Sequence, residues 1–198
     1  MGDGRRPGPA RLTDLYDAVR RRRMVRSFTD ERVPADALDR VLATAFRAPA
    51  AGNTDFLDLV VLTGEETQRY WSVTLPDPSG FRWQGLLRAP VLVVPVVDPD
   101  AYVRRYAEPD KGRDAAAWAV PYWWVDAGRA VEHVLLACAA EGLGACFFGQ
   151  FDHEPAVLQA LGVPPGRRSP GTIALGHPAP DGPGRSADRA RTRTIRRG

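Results

Sequence analysis

The segment Pro90-Val91-Leu92-Val93-Val94-Pro95-Val96-Val97 limits the possible folds more than any other stretch of the chain. It is β-branched almost throughout and does not alternate between apolar and polar residues. A strand of that kind offers no face to water, so it predicts a central strand covered on both sides. Other apolar elements must supply the cover. The longest helix, roughly Val125 to Glu141, is polar in its first half through Asp126, Arg129, Glu132 and His133, and apolar all round in its second half, which places it at the molecule's centre. Gly142 ends it as a left-handed cap, and Gly144 to Gly149 reads as a short strand.

The remaining elements follow from period and punctuation. Leu12, Leu15, Tyr16 and Val19 recur at helical spacing, with Asp14 and Asp17 early and arginines late, as an amphipathic helix prefers. Val33-Pro34 opens a second helix whose buried stripe is Leu38, Val41, Leu42 and Ala45, and Pro49 stops it. The small, turn-forming run Ala48 to Thr54 is a loop where a ligand could approach the backbone, and Phe56 to Leu62 has strand composition. Glu65 to Trp71 reads as a short helix and Pro76 to Gly80 as a turn, neither with evident chemistry. Asp98-Pro99 caps a short helix carrying Tyr102, Val103 and Tyr106, and Glu108 to Val120 reads as a mobile connection and candidate lid. A small helix over Pro155 to Leu161 and a strand over Gly171 to Gly176 complete the order αα, β, β, long α, β, α, β. That order gives a single α+β domain with a mixed sheet over residues 12–198. Residues 1–11 should be disordered, and the tail from Arg185 to Arg197, with six arginines and almost no apolar residues, could not fold alone.

Composition narrows the function. A chain of 198 residues with 44% hydrophobic and 26% charged residues is an ordinary globule with a full core. Its net charge of +3 conceals a bias, since Lys111 is the sole lysine and the other cations are arginines, which suit planar recognition of phosphate or carboxylate. Acidic residues interspersed through the middle argue against a nucleic-acid partner. Cys138 and Cys146, eight residues apart in apolar surroundings, read as small buried hydrophobes rather than as zinc or redox ligands. The absence of a secretory pattern and of an 18-residue apolar run points to the cytoplasm and to no membrane partner.

Arg20 to Arg23, followed by Arg26, is more positive charge than a helix C-terminus can use, so an anion nearby is the expectation. No nucleophile elbow, paired carboxylates or metal-ligand spacing accompanies the three histidines. His133 reads as a satisfied core or interface residue and His177 as a strand-end residue. The spacing Gly142-Leu143-Gly144 follows a helix, unlike a dinucleotide-binding fingerprint. What remains is arginine near both ends and small residues where a flat ligand could touch backbone, which suggests a phosphorylated aromatic cofactor.

Five motifs in order carry a resemblance: Arg22-Arg23-Met24-Val25-Arg26-Ser27-Phe28, Ala48 to Thr54, Asp126-Ala127-Gly128, Glu141 to Cys146, and Ile173 to Pro178. Together they resemble the FMN-dependent nitroreductase family over residues 12–197. The resemblance implies a mixed, mainly antiparallel sheet flanked by helices. It also implies a homodimer with two FMN molecules at its interface, and a tail, residues 185–198, that crosses onto the partner. It places Arg22 and Arg23 at the FMN phosphate and ribityl end, with Met24 beside them and Arg26 at the N1 and C2 carbonyl edge of the ring. Pro49, Ala50, Ala51 and Asn53 from the partner would line the ring, and backbone N–H groups near Phe148 and Gly149 would meet N5 and O4. Arg82 or Gln84 would reach the pyrimidine edge, and Arg189 with Arg191 the phosphate. Met24 and Ala50 stand where the family usually has serine, and Asp55-Phe56 where it usually has Gln-Pro. A lost hydroxyl contact is worth about 1 kcal/mol, which leaves FMN binding intact.

The activity implied is ping-pong transfer from NAD(P)H to a nitroaromatic, quinone or other conjugated acceptor, with no side chain acting as an essential acid. Aromatic residues in variable segments, Phe81, Trp83, Trp118, Tyr122, Trp123 and Trp124, are the candidate substrate pocket, although core packing accounts for aromatics equally well. The alternatives are a flavin-dependent dehydrogenase or oxidase of a specialised natural-product substrate, and a flavin-binding protein without catalysis.

Overall fold

The computed structural model describes residues 14–112 and 114–180. The expectations placed on residues 1–11 and on the tail, including Arg189 and Arg191, lie outside the described residues. Four strands, β1 (Leu57–Thr63), β2 (Val91–Val97), β3 (Gly144–Phe148) and β4 (Thr172–Gly176), form one sheet in the order β1-β2-β4-β3. The valine-rich strand is internal, as its composition requires. Every residue of β2 is buried, whereas β1, at an edge, is buried at Leu57 and Leu62, half-buried over Leu59 to Val61 and exposed at Asp58 and Thr63. All three pairings between named strands are antiparallel, so the expected mixed sheet is antiparallel in its strands. Among the described residues, parallel pairing is confined to the isolated bridge between Met24 and Ala145.

The pleat of β2 divides the core into two layers. Val91, Val93 and Val97 face one way, with Ile173 and Leu175, and are covered by α2 (Ala35–Ala43) and the long helix α5 (Tyr122–Ala140) through Val41, Val131, Val134 and Leu135. Leu92, Val94 and Val96 face the other way, with Ala174 and Cys146, and are covered by α3 (Glu65–Thr74) and α6 (Glu154–Ala160) through Tyr70, Trp71, Val157 and Leu158. Pro95 is tolerated inside this strand for a geometric reason. Val97, two residues on, points its N–H to the carbonyl of Arg168, so position 95 faces the same side, beyond Val93, the last residue that β4 pairs.

Two sequence expectations are revised. The apolar stripe of α1 (Leu15–Arg21) faces outward. Ala18 is its buried residue, while Leu15, Tyr16 and Val19 are 63%, 71% and 54% exposed. The connection after α4 (Pro99–Tyr106) is anchored rather than free-hanging. Ala115 is fully buried, and Trp118 packs edge-on against Tyr106 and Tyr122 at 4.5 and 5.4 Å. Aromatic area outweighs the small, polar composition of that segment. His133 meets the carbonyl of Thr44 at 3.1 Å through Nδ1, a satisfied core contact.

Two measurements test this packing. Gly171 has φ +145, and a Cβ there would lie 2.3 Å from the Phe148 carbonyl oxygen, so Gly171→Ala should cost at least ~2 kcal/mol in urea unfolding through strain and a backbone clash. Asp98, buried at the start of α4, resists burial's upward push because Arg104 and Arg167, at 2.8 and 2.9 Å, hold its carboxyl below the ordinary value of 3.8. Its contribution is therefore present above the unfolded-state pKa and fades as pH falls through the lower folded one. Asp98→Asn should narrow the stability difference between pH 6 and pH 3 in paired thermal melts.

Candidate active site

Residues 24–29 leave α1 as an extended segment clamped from both sides. Val25 donates its N–H to the Ala145 carbonyl at 2.8 Å, and Thr29 to that of His177 at 2.9 Å. Phe28 donates to the Gly85 carbonyl at 3.1 Å, and a Cβ on Gly85 would sit 2.3 Å from the Ser27 hydroxyl, so the two backbones touch. The clamp presents Arg26 to a cleft of about 420 Å³, whose walls include Trp71, Trp83, Phe148, Gly149 and Phe151. Trp71 stacks on Phe148 with centroids 5.6 Å apart and planes 13° from parallel. The Arg26 guanidinium lies 5.1 Å from the Trp83 ring centroid, and that of Arg82 lies 4.7 Å from it.

Three properties of the cleft bear on what it can hold. No Asp or Glu is among its lining residues, and no carboxylate pairs with Arg26 among the described residues, so its field is positive. Tyr70 and Gln150 both bind the Thr172 hydroxyl, at 2.7 and 2.9 Å, and burial pushes the Tyr70 phenol up to about 12, which keeps it neutral. Finally, Trp71 Nε1 and Gln150 Oε1 are buried without a hydrogen-bond partner among the described residues, one a donor and one an acceptor. The Cys146 thiol also lines the cleft, but burial raises its pKa, and the nearby Arg26 charge only partly opposes this, so it is no ready nucleophile.

Among the sequence candidates, Arg26, Trp83, Phe148 and Gly149 therefore come together, with Phe81 beside them. Met24 lies at the edge of β3, where its sulfur accepts the Phe147 N–H at 3.4 Å. Gln84 points elsewhere, closing a turn through the carbonyls of Pro78 and Phe81. Arg22 is half-buried with its Nε 3.2 Å from Glu132 on α5, and Arg23 is exposed. The remaining candidates lie across the sheet. Pro49, Ala50, Ala51 and Asn53 form a turn packed on α4 and α5, with Pro49 and Asn53 exposed. Trp118, Tyr122 and Trp123 cluster with the buried Tyr102 in that same layer. One chain does not join these two groups into one pocket.

Four residues of consequence escaped the sequence reading. Trp71 and Tyr70 sit on a helix that carried no motif, although two adjacent large aromatics in a polar helix are a packing signal. Phe151 is 85% exposed, has φ +49 and lies over Gly149, and such a conformation in a bulky residue is visible only in coordinates. Asp126 was legible as part of a motif but not as a hub. Fully buried, it accepts from the Tyr102 hydroxyl at 2.8 Å, the Ala51 N–H at 2.7 Å and Arg129 at 2.7 Å.

Comparison with known proteins agrees with this architecture. The chain is 30% identical to a 4-nitrobenzoate reductase from a Nocardioides species over 83% of its own length and 81% of that protein's. It is 29% identical to an NADH dehydrogenase from Thermus thermophilus, over 86% and 90%. Among solved structures, a nitroreductase-like family protein from Bacillus cereus superposes with a TM-score of 0.70 at 19% identity, over 94% of this chain and 95% of that one. A Desulfovibrio desulfuricans protein described as a nitroreductase, solved with FMN, superposes at 0.68 with 26% identity, over 90% and 92%. The sequence model of the nitroreductase family matches residues 19–79 and 71–177, a span that holds the clamped arginine segment, the sheet and both of its covering layers, and the chain belongs to that family.

Proposed function

We propose that the chain is an FMN-dependent oxidoreductase that takes electrons from NAD(P)H and passes them, in a ping-pong cycle, to a nitroaromatic, quinone or related conjugated acceptor. The observation that carries the reading is Arg26. It is a guanidinium without a carboxylate partner among the described residues, fixed by backbone clamps at the mouth of an acid-free aromatic cleft whose edge is the end of β3. The names of the relatives, an NADH dehydrogenase and a 4-nitrobenzoate reductase, support the nicotinamide donor and a nitroaromatic acceptor.

The residues present fit a flavin. A planar ring with one anionic edge matches an aromatic-walled cleft that offers a cation and no carboxylate, and the Trp71 indole N–H and Gln150 amide oxygen are buried in its walls without a partner among the described residues. When bound, FMN supplies hydride acceptance from a nicotinamide and electron delivery to the acceptor. Arg26 then holds negative charge at the ring's pyrimidine edge, where no carboxylate competes for it. The Phe148–Gly149 segment at the end of β3 lines the cleft, where the Gly149 N–H would meet the ring, and the Trp71–Phe148 stack forms one of its walls. Arg22 and Arg23 take the phosphate, with Arg22 sharing its charge with the exposed Glu132, and the tail pair Arg189 and Arg191 adds to them. The turn at Pro49 to Asn53 and the aromatics Trp118, Tyr122 and Trp123 complete the site from a second subunit. Separation of the two groups by the sheet supports this arrangement, as does the outward apolar stripe of α1.

Three outcomes test the reading. The purified protein should be yellow and should bleach anaerobically with NADH or NADPH, then recover its colour on addition of a quinone; a colourless protein sinks it. Arg26→Ala should leave FMN bound but lower its midpoint potential by about 30 mV, equivalent to ~1.4 kcal/mol for two electrons, whereas Arg22→Ala should mainly weaken FMN retention in equilibrium dialysis. Val19→Glu, on the exposed face of α1, should convert a dimer into a monomer in light scattering and release flavin with it.

A further inference from the structure

The turn at residues 50–54 is held from within and from outside. Gly52 and Asn53 both have positive φ, +69 and +52, which these two residue types adopt readily, and the turn's first residue, Ala50, has no side chain able to cap it. Within the turn the Asn53 N–H reaches the Ala50 carbonyl at 3.0 Å and the Thr54 hydroxyl the Ala51 carbonyl at 2.7 Å. Two further bonds come from other elements. Asp126 of α5 accepts the Ala51 N–H at 2.7 Å, taking the place of the missing cap, and Arg105 of α4 donates to the Gly52 carbonyl at 2.9 Å. Tyr106 closes on Gly52 so tightly that a Cβ there would lie 2.8 Å from its ring. Asp126 is itself over-determined, since the buried Tyr102 hydroxyl shares its Oδ2 and Arg129 holds its Oδ1.

We infer that Asp126 is a positioning residue: its carboxylate fixes the backbone of residues 50–53 from α5 and thereby sets the surface that this turn presents to the flavin of the partner subunit. The inference rests on the flavin reading above. A long helix buried in the core is the stiffest support available, and a charged acceptor makes a stronger bond to an N–H than a serine cap would. The turn itself can then be built of small residues, which leaves its outer side flat.

The test uses Asp126→Ala, Asp126→Asn and the double variant Tyr102→Phe/Asp126→Leu in the full-length protein, with far-UV circular dichroism and thermal melting to verify folding. The double variant removes the carboxylate together with the buried hydroxyl that donates to it, so apolar groups of similar size fill the space and the Ala51 N–H loses its acceptor. It therefore carries the test if Asp126→Ala fails to fold. Asn keeps an oxygen for Ala51 and Tyr102, while the half-exposed Arg129 turns to water. Asp126→Ala and the double variant should each raise the FMN dissociation constant about tenfold or more, shift the flavin absorption bands and raise KM for the acceptor, and Asp126→Asn should stay near the native values. A yellow wild type with folded Asp126→Ala and double-variant proteins unchanged in affinity and spectrum overturns the inference alone. So does Asp126→Asn matching Asp126→Ala, because buried charge rather than the amide contact would then be responsible. A colourless wild type overturns the flavin reading and this inference together.

Discussion

The structure depends on β2 being buried on both faces. A strand whose seven residues all lie out of water cannot sit at an edge or under a single layer, so two helical layers must exist and the other strands must flank it. The pleat then deals its residues alternately to the two layers, which fixes what each layer contains. One receives α2, α5 and the turn at residues 50–54, and the other receives α3, α6 and the cleft. The division of the candidate site between two faces of the sheet is thus a consequence of one strand's composition.

Charge is handled by the same geometry. Four consecutive arginines repel each other in a helix, and the structure disperses them. Arg20 pairs with Asp17, Arg22 reaches Glu132, and the chain turns extended so that Arg26 emerges over the aromatic wall. Buried polar groups follow the opposite logic on the two sides. Asp126 is fully satisfied by three donors and stiffens its surroundings, whereas Trp71 Nε1 and Gln150 Oε1, on two residues that line the cleft, have no partner among the described residues.

Much of the fold was legible in the sequence because each element carried its own local signal. The helix starting at Pro34, the cap at Asp98, the glycine closing α5 and the strand at Gly171 all appear close to where period and punctuation put them. Arg26, Phe148 and Gly149 were legible as candidates through motif and resemblance and Trp83 as an aromatic in a variable segment, and the four meet in one cleft. Trp71, Phe151 and the hub role of Asp126 were not, since each depends on a neighbour from a distant part of the chain. The outward face of α1 misleads for a related reason. An amphipathic period says that an apolar face exists but not what covers it.

By itself, then, the sequence determined the kinds and order of the elements, the central place of the valine strand and the concentration of arginine after α1, because helix period, β-branching, capping and charge repulsion act between near neighbours. Only the tertiary structure decided which arginine enters the cleft, that α3 forms its wall, that a carboxylate on α5 holds a turn seventy-five residues earlier, and that two groups of site residues lie on opposite faces. Those outcomes rest on contacts between segments far apart in the chain, which depend on how the layers pack rather than on any local preference.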